Sequence, residues 1–80
     1  MKASTRHAAH QLLRRSLATG SKVAVVYLGA DYQAHNRTGR VAAVHGSRFV
    51  LDYLDPAGTA RRASFDLANP NDVLAVEPVR

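Results

Sequence analysis

Residues 38–67 read TGRVAAVHGSRFVLDYLDPAGTARRASFDL and alternate apolar with polar side chains at a period close to two. Within this segment Phe49, Leu51 and Tyr53 fall on the same side of an extended chain. Such alternation is typical of a strand that presents one face to a hydrophobic core. The segment therefore predicts β-strands rather than a helix.

Two turn sequences divide this segment. Gly46-Ser47 predicts a tight hairpin turn, because glycine tolerates the left-handed backbone. Asp55-Pro56-Ala57-Gly58 places Asp, Pro and Gly at the positions that a type I turn prefers. The strands predicted between these turns span residues 40–45, 48–55 and 59–67.

The residues before this segment predict a helix, a strand and a loop. Residues 5–19 contain no Pro or Gly, with Ser4 or Thr5 available as a cap and Gly20 as a left-handed stop. Their apolar residues recur at steps of three and four, so the helix is amphipathic and its other side is cationic. Residues 22–28 predict a strand that is covered on both faces, and residues 29–39 predict a long polar loop.

After the segment, residues 69–72 predict a single helical turn with Asn69 as cap and Pro70 at the first helical position. Residues 73–79 predict a fifth strand. The predicted fold class is mainly β within the α+β group, with an N-terminal amphipathic helix followed by a five-stranded antiparallel small barrel. The helix and its linker span 1–21 and the barrel 22–80, in a single domain.

This order of elements resembles the SH3-like small barrels and, with its leading helix, the Sm/Hfq type. The matching segments are VAVVYL (23–28), TGRVAAVHGSRFVLDYLD (38–55), ARRASFDL (60–67) and VLAVEP (73–78), with Gly39-Arg40-Val41 in the second strand. The resemblance implies a ring-forming protein that binds RNA. Hfq-type proteins bind uridine with a Tyr-Lys-His segment, whereas this chain has Phe65-Asp66-Leu67-Ala68-Asn69-Pro70 there. A second resemblance, to the SH3-like dimerisation domains of plasmid partition and repressor proteins, implies a protein interface instead.

The positive charge is concentrated at the N-terminus. The chain has 11 basic and 6 acidic residues, for a net charge of +5. Residues 1–30 contain five cations and no acid, whereas residues 31–80 contain six of each. Because a cationic surface attracts phosphate, we expect a nucleic-acid partner. The resemblance to Sm-type proteins favours RNA, and the absence of cysteine fits the cytoplasmic location that we expect.

The candidate nucleic-acid-binding residues lie on the helix and around the polar loop. Arg37 and Arg40 flank Gly39 near Tyr32 and His35, and they have few acids near them in sequence. The full candidate set is Arg6, Arg14, Arg15, Lys22, Tyr32, Arg37 and Arg40. For the helix cations, a solvated surface without a ligand is an equal alternative.

The remaining arginines have acidic neighbours. Arg48 and Arg62 are expected to pair across strands with acids such as Asp52 and Asp66.

Val50 and Leu54 point to a different function, a protein-protein interaction or homo-oligomer. If Phe49 and Leu51 fill the core, these two side chains point outward and form an apolar patch. Docking of the N-terminal helix over that face is the simpler alternative. The acid-free N-terminus also has the composition of an organellar transit peptide, which leaves cleavage of residues 1–21 open.

Several classes of chemistry find no support in the sequence. Without cysteine the chain has no disulfide, no thiolate zinc site and no cysteine nucleophile. No catalytic motif is present, and His7 and His10, one helical turn apart, are expected to be solvated rather than metal ligands. We therefore expect no enzyme activity, cofactor or metal. We also expect no membrane partner, because the longest apolar run, residues 23–28, is much shorter than a membrane-spanning helix.

Overall fold

The computed structural model of the protein describes residues 3–69 and 71–79. Its elements are α1 (Ala3–Thr19), β1 (Val23–Leu28), β2 (Ala34–His45), β3 (Arg48–Leu54), β4 (Ala60–Asp66) and β5 (Ala75–Pro78). The strands pair antiparallel in one sheet of order β4-β3-β2-β1-β5. The predicted α+β class, mainly β, is confirmed. Over the described residues the sheet is not closed, and β4 and β5 are its two edges.

Helix α1 begins slightly earlier than predicted. It starts at Ala3, so Ser4 and Thr5 lie inside it rather than at the cap. It ends where predicted, because Gly20 adopts a φ of 75° and donates its N–H to the Ser16 carbonyl at 2.8 Å. This is the left-handed helix stop that a glycine makes without steric cost.

Strand β2 is longer than predicted, and the predicted loop over residues 29–39 is wrong beyond Gln33. The ladder with β1 runs from Val23 opposite Gly39 to Leu28 opposite Ala34, so all of β1 is paired. Residues 34–38 are mostly polar on both faces, which removes the alternation that marks a strand in sequence. The backbone of β1 nevertheless needs hydrogen-bond partners, and this segment provides them.

The apolar core lies on the inner face of the sheet, which we define as the face containing Phe49 and Leu51. Helix α1 covers it and adds Ala9 and Leu13 to the core. The buried apolar residues are Ala9, Leu13, Val23, Val25, Val41, Phe49, Leu51, Phe65, Leu67 and Val73. The opposite, outer face contains Val50 and Leu54, so the alternative in which the helix covers these two residues is wrong. The larger inner side chains offer the helix more apolar area.

The chain before β5 differs from the prediction. Val73 is fully buried but lies outside the strand, which begins at Ala75 rather than at residue 73. In the predicted helical turn the amides of Asp72 and Val73 both donate to the Asn69 carbonyl, at 3.1 and 3.4 Å. The predicted role of Pro70 lies outside the described residues.

The two predicted hairpin turns are confirmed. Gly46, with a φ of 62°, lies in the two-residue link between β2 and β3. In the turn between β3 and β4, the Gly58 N–H donates to the Asp55 carbonyl at 2.8 Å and the Asp55 N–H donates to the Thr59 carbonyl at 3.0 Å. Gly58 has a φ of 82°, a left-handed conformation that favours glycine.

Two local features shape β2. Gly39 is buried, and a Cβ at this position would overlap the backbone carbonyl of Asp52 in β3. Between Val41 and Ala43 the register with β3 shifts, which is a β-bulge that bends the strand. These features bring β2 and β3 close together and then turn β2 towards the helix.

Ser16 joins the helix to the sheet. Its side chain is polar and 1% exposed. The Ser16 hydroxyl donates to the Ser21 carbonyl at 2.5 Å and accepts from the Val41 N–H at 3.0 Å. The ladder between β1 and β2 ends at Gly39, so the Val41 amide receives from the helix the partner that β1 does not provide.

Ser16→Ala should lower the free energy of unfolding by about 1–3 kcal/mol, because it leaves the Val41 N–H and the Ser21 carbonyl without a buried partner. Thr19→Ala is the matched control, since that hydroxyl is exposed and donates to the Arg15 carbonyl. It should change stability by less than about 0.5 kcal/mol. Urea denaturation measures both values, and equal losses in the two variants would contradict the role given to Ser16.

Candidate functional site

Cross-strand ion pairs neutralise one group of arginines. Arg62 and Asp52 face each other on β4 and β3, with Nε to Oδ1 at 2.7 Å and Nη2 to Oδ2 at 3.2 Å. Arg48 and Asp66 are also opposite one another, with Nε to Oδ2 at 3.7 Å. The predicted pairing of Arg48 and Arg62 is confirmed.

The aspartates of the sheet have lowered pKa values for different reasons. The Ser47 hydroxyl, 2.7 Å from the carboxylate, is the main cause of the lowered pKa of Asp66. For Asp55 the backbone N–H of Thr59 lowers the pKa most, followed by the side chain of Arg61. Hydrogen bonds from ring or guanidinium donors lower the pKa of two further aspartates, which pair as Asp31–His35 and Asp52–Arg62.

These shifts predict acid sensitivity. A folded-state pKa below the unfolded value of about 3.9 stabilises the fold above that pH, and this stabilisation is lost as pH falls through the folded pKa. The unfolding midpoint should therefore fall as pH is lowered from about 5 to 3. Asp66→Asn should flatten this dependence in thermal unfolding. An unchanged slope would show that Asp66 does not contribute to it.

A second group of cations forms no ion pair. None of the ion pairs within residues 3–69 and 71–79 includes them, and all but Arg37 are exposed. They are Arg6, Arg14, Arg15, Lys22, Arg37 and Arg40. Every cation among the sequence candidates thus belongs to this group, whereas the remaining arginines of the described sheet are paired.

Lys22 and Arg40 lie in one groove on the outer face, which we call the outer groove. Its volume is about 860 Å³. The lining residues are Lys22, Thr38, Gly39, Arg40, Asp52, Tyr53, Leu54, Ala60, Arg61 and Arg62. Val23 and Gly39 form the last pair of the β1–β2 ladder, and Lys22 and Arg40 are the next residues along the two chains beyond it. The groove combines two cations that form no ion pair with apolar positions at Leu54 and Ala60, and the carboxylate of Asp52, opposite Arg40, is held by Arg62.

Arg37 lies on the inner face, because it is three positions from Arg40 along β2 and successive side chains point to opposite faces. Its guanidinium carbon is 4.9 Å from the Tyr53 ring centre and 5.6 Å from that of Tyr27. The structure therefore does not bring Arg37 and Arg40 together. The sequence analysis did not predict that Tyr27 and Tyr53 contact Arg37. The only signal for it is the alternation of side chains between the two faces of β2, which places Arg37 on the inner face with the tyrosines.

Tyr32 and His35 lie apart from the outer groove. Tyr32 is 85% exposed in the turn between β1 and β2. The His35 ring stacks on Tyr27 with ring centres 5.7 Å apart, and its Nε2 lies 2.9 Å from Asp31 Oδ1.

The helix histidines have separate partners. His10 Nε2 lies 3.1 Å from the Gly46 carbonyl oxygen, and His7 Nε2 lies 3.2 Å from the Gln11 side-chain nitrogen. Over the described residues, no three His, Asp or Glu side chains group closely enough to hold a metal ion. The predicted helix cations Arg6, Arg14 and Arg15 lie exposed along α1.

Comparison with known proteins gives no identity. No family model, curated protein or solved structure matches the chain. In the part of the chain that the structure describes, no helix has the length and apolar character needed to cross a membrane. The groove and its charges are therefore the basis for a function.

Proposed function

We propose that this chain binds single-stranded RNA, without catalysis, in the outer groove. The observation that supports the proposal is that Lys22 and Arg40 both line this groove and form no ion pair within the described residues, whereas the neighbouring Arg62 is paired with Asp52. A phosphate chain bound to Lys22 and Arg40 would release counterions, which is the main source of affinity for nucleic acids.

The shape of the outer groove supports a single strand rather than a duplex. The groove is an open sheet surface with apolar positions at Leu54 and Ala60 beside the cations. Sheet surfaces of this kind accept unpaired bases while cations follow the backbone. The exposed arginines of α1, such as Arg14 and Arg15, add long-range attraction for phosphate.

We also propose that the fold belongs to the SH3-like small barrels, in the Sm-type arrangement. The strand order, the bulge in β2 and the leading helix support this assignment. The resemblance to Sm-type proteins is also our reason for proposing RNA rather than DNA.

Arg40→Ala should weaken binding to a labelled oligouridylate of about 12 nucleotides, because one phosphate contact is lost. The slope of log affinity against log salt should become shallower by about 0.7 for this contact. Fluorescence anisotropy titrations between about 50 and 200 mM salt measure both quantities. An oligodeoxyuridylate of equal length tests for recognition of the 2′-hydroxyl.

Arg48→Ala is the matched control. It removes the same side chain and charge from the outer face, but at a position outside the outer groove that is already paired with Asp66. The salt slope should stay unchanged in this variant. An equal loss in both variants would mean that net charge alone, and not the groove, attracts the RNA.

The alternative function is self-association through the outer face. It is favoured by Leu54, which is 68% exposed beside the half-buried Val50. Burial of an apolar side chain of this size against a second copy of the chain lowers the free energy.

Leu54→Asp distinguishes the alternative. If the outer face is a self-association surface, the oligomer should dissociate to a monomer in this variant, because a carboxylate replaces the apolar side chain that the interface buries. Light scattering measures the change in mass. A chain that is monomeric with or without the substitution would rule out this surface as an oligomer interface.

A further inference from the structure

Two turns of the sheet share one conformation. The turn over residues 29–33 repeats the hydrogen bonds of the turn over residues 55–59. The Tyr32 N–H donates to the Gly29 carbonyl at 3.0 Å, and the Gly29 N–H donates to the Gln33 carbonyl at 2.9 Å. Both turns are three-residue hairpin loops whose last loop residue is left-handed.

The two turns differ in the residue that takes this left-handed position. One uses Gly58 with a φ of 82°, and the other uses Tyr32 with a φ of 60°. Among the described residues Tyr32 is the only non-glycine residue with a positive φ. An L side chain in this conformation costs folding free energy that glycine does not.

Nothing within the described fold offsets that cost. The Tyr32 side chain is 85% exposed, and no aromatic, cation or side-chain hydrogen-bond contact of the described residues includes it. The turn itself is well held, because Asp31 Oδ1 accepts from the Gln33 N–H at 3.1 Å and contacts His35 Nε2 at 2.9 Å. The ring is thus presented to solvent on an ordered turn, which lowers the entropy lost on binding.

We propose that Tyr32 stacks on an unpaired nucleobase of the RNA whose backbone lies in the outer groove. This inference rests on the proposed RNA-binding function. From Ala34 to Arg40 the chain rises by roughly 20 Å along β2. A stacked single strand advances about 3.4 Å per nucleotide, so about six nucleotides span this stretch, and Tyr32 lies in the turn just beyond Ala34. Every base has an aromatic face, so this contact selects unpaired bases rather than a sequence.

Tyr32→Gly tests the conformational part of the proposal. It should raise the thermal unfolding midpoint by about 5 °C, because the left-handed position no longer has a side chain. Gly58→Ala, at the equivalent position of the other turn, should lower the midpoint by a similar amount. A lower midpoint in Tyr32→Gly would show that the ring stabilises the fold and would overturn the proposal.

Binding of two probes tests the stacking part. Tyr32→Gly should weaken binding to an oligouridylate of about 12 nucleotides about 10-fold, or about 1.4 kcal/mol. It should leave binding to an abasic oligoribonucleotide of the same length unchanged, because that probe offers phosphates without bases. Tyr32→Phe should retain most of the affinity for the oligouridylate, since the ring remains.

The outcomes separate this inference from the proposed function. Unchanged oligouridylate binding in Tyr32→Gly, together with a loss in Arg40→Ala, would overturn the stacking role and leave RNA binding in place. Equal losses for both probes in Tyr32→Gly would also overturn it, because bases would not be what Tyr32 contacts. If the unaltered chain binds neither probe, the proposed function and the stacking role of Tyr32 both fail.

Discussion

A single hydroxyl, Ser16 Oγ, joins the end of the helix, the linker and the bent strand of the sheet. Its two hydrogen bonds, from the Val41 amide and to the Ser21 carbonyl, lie where β1 has not yet begun and cannot pair with β2. Ser16 is buried, so its hydroxyl is the hydrogen-bond partner of the Val41 N–H and of the Ser21 carbonyl at the point where the chain leaves the helix after Gly20. The position of Lys22, which follows the linker directly, depends on the same arrangement. The geometry of the outer groove is therefore tied to the packing of α1.

Ion pairing determines which charges are left for a ligand. All six acidic residues of the chain lie in residues 31–79. Four of them are aspartates that pair with a histidine or an arginine. Arg62 also lines the outer groove, but its Nε and Nη2 donate to the two carboxylate oxygens of Asp52. The net charge of +5 thus lies entirely in residues 1–30, whereas the charges of residues 31–80 cancel.

The sequence predicted the elements well where polar and apolar residues alternate, and poorly where both faces are polar. Phe49 and Leu51 identified the inner face, and the turn residues of 55–58 identified a hairpin, because burial and glycine geometry act locally. The start of β2 at Ala34 was missed since its partner, β1, is distant in sequence. Because residues 29–39 were predicted as a loop, the sequence analysis grouped Arg37 with Arg40. In the structure both lie in β2, where side chains alternate and these two point to opposite faces. The cations of the candidate site could be predicted from charge alone. The contacts of Arg37 with Tyr27 and Tyr53 could not, because the three residues lie on three different strands.

The two proposed functions of the outer groove exclude one another, because Leu54 lies among the same residues as Lys22 and Arg40. The charges favour RNA. In a symmetric dimer each patch meets its own copy, so the uncompensated cations of one groove would approach those of the other. Like charges brought together at an interface oppose association, whereas a phosphate backbone neutralises them. Under the proposed function, the exposed Leu54 would provide an apolar contact for a base or ribose beside the phosphates.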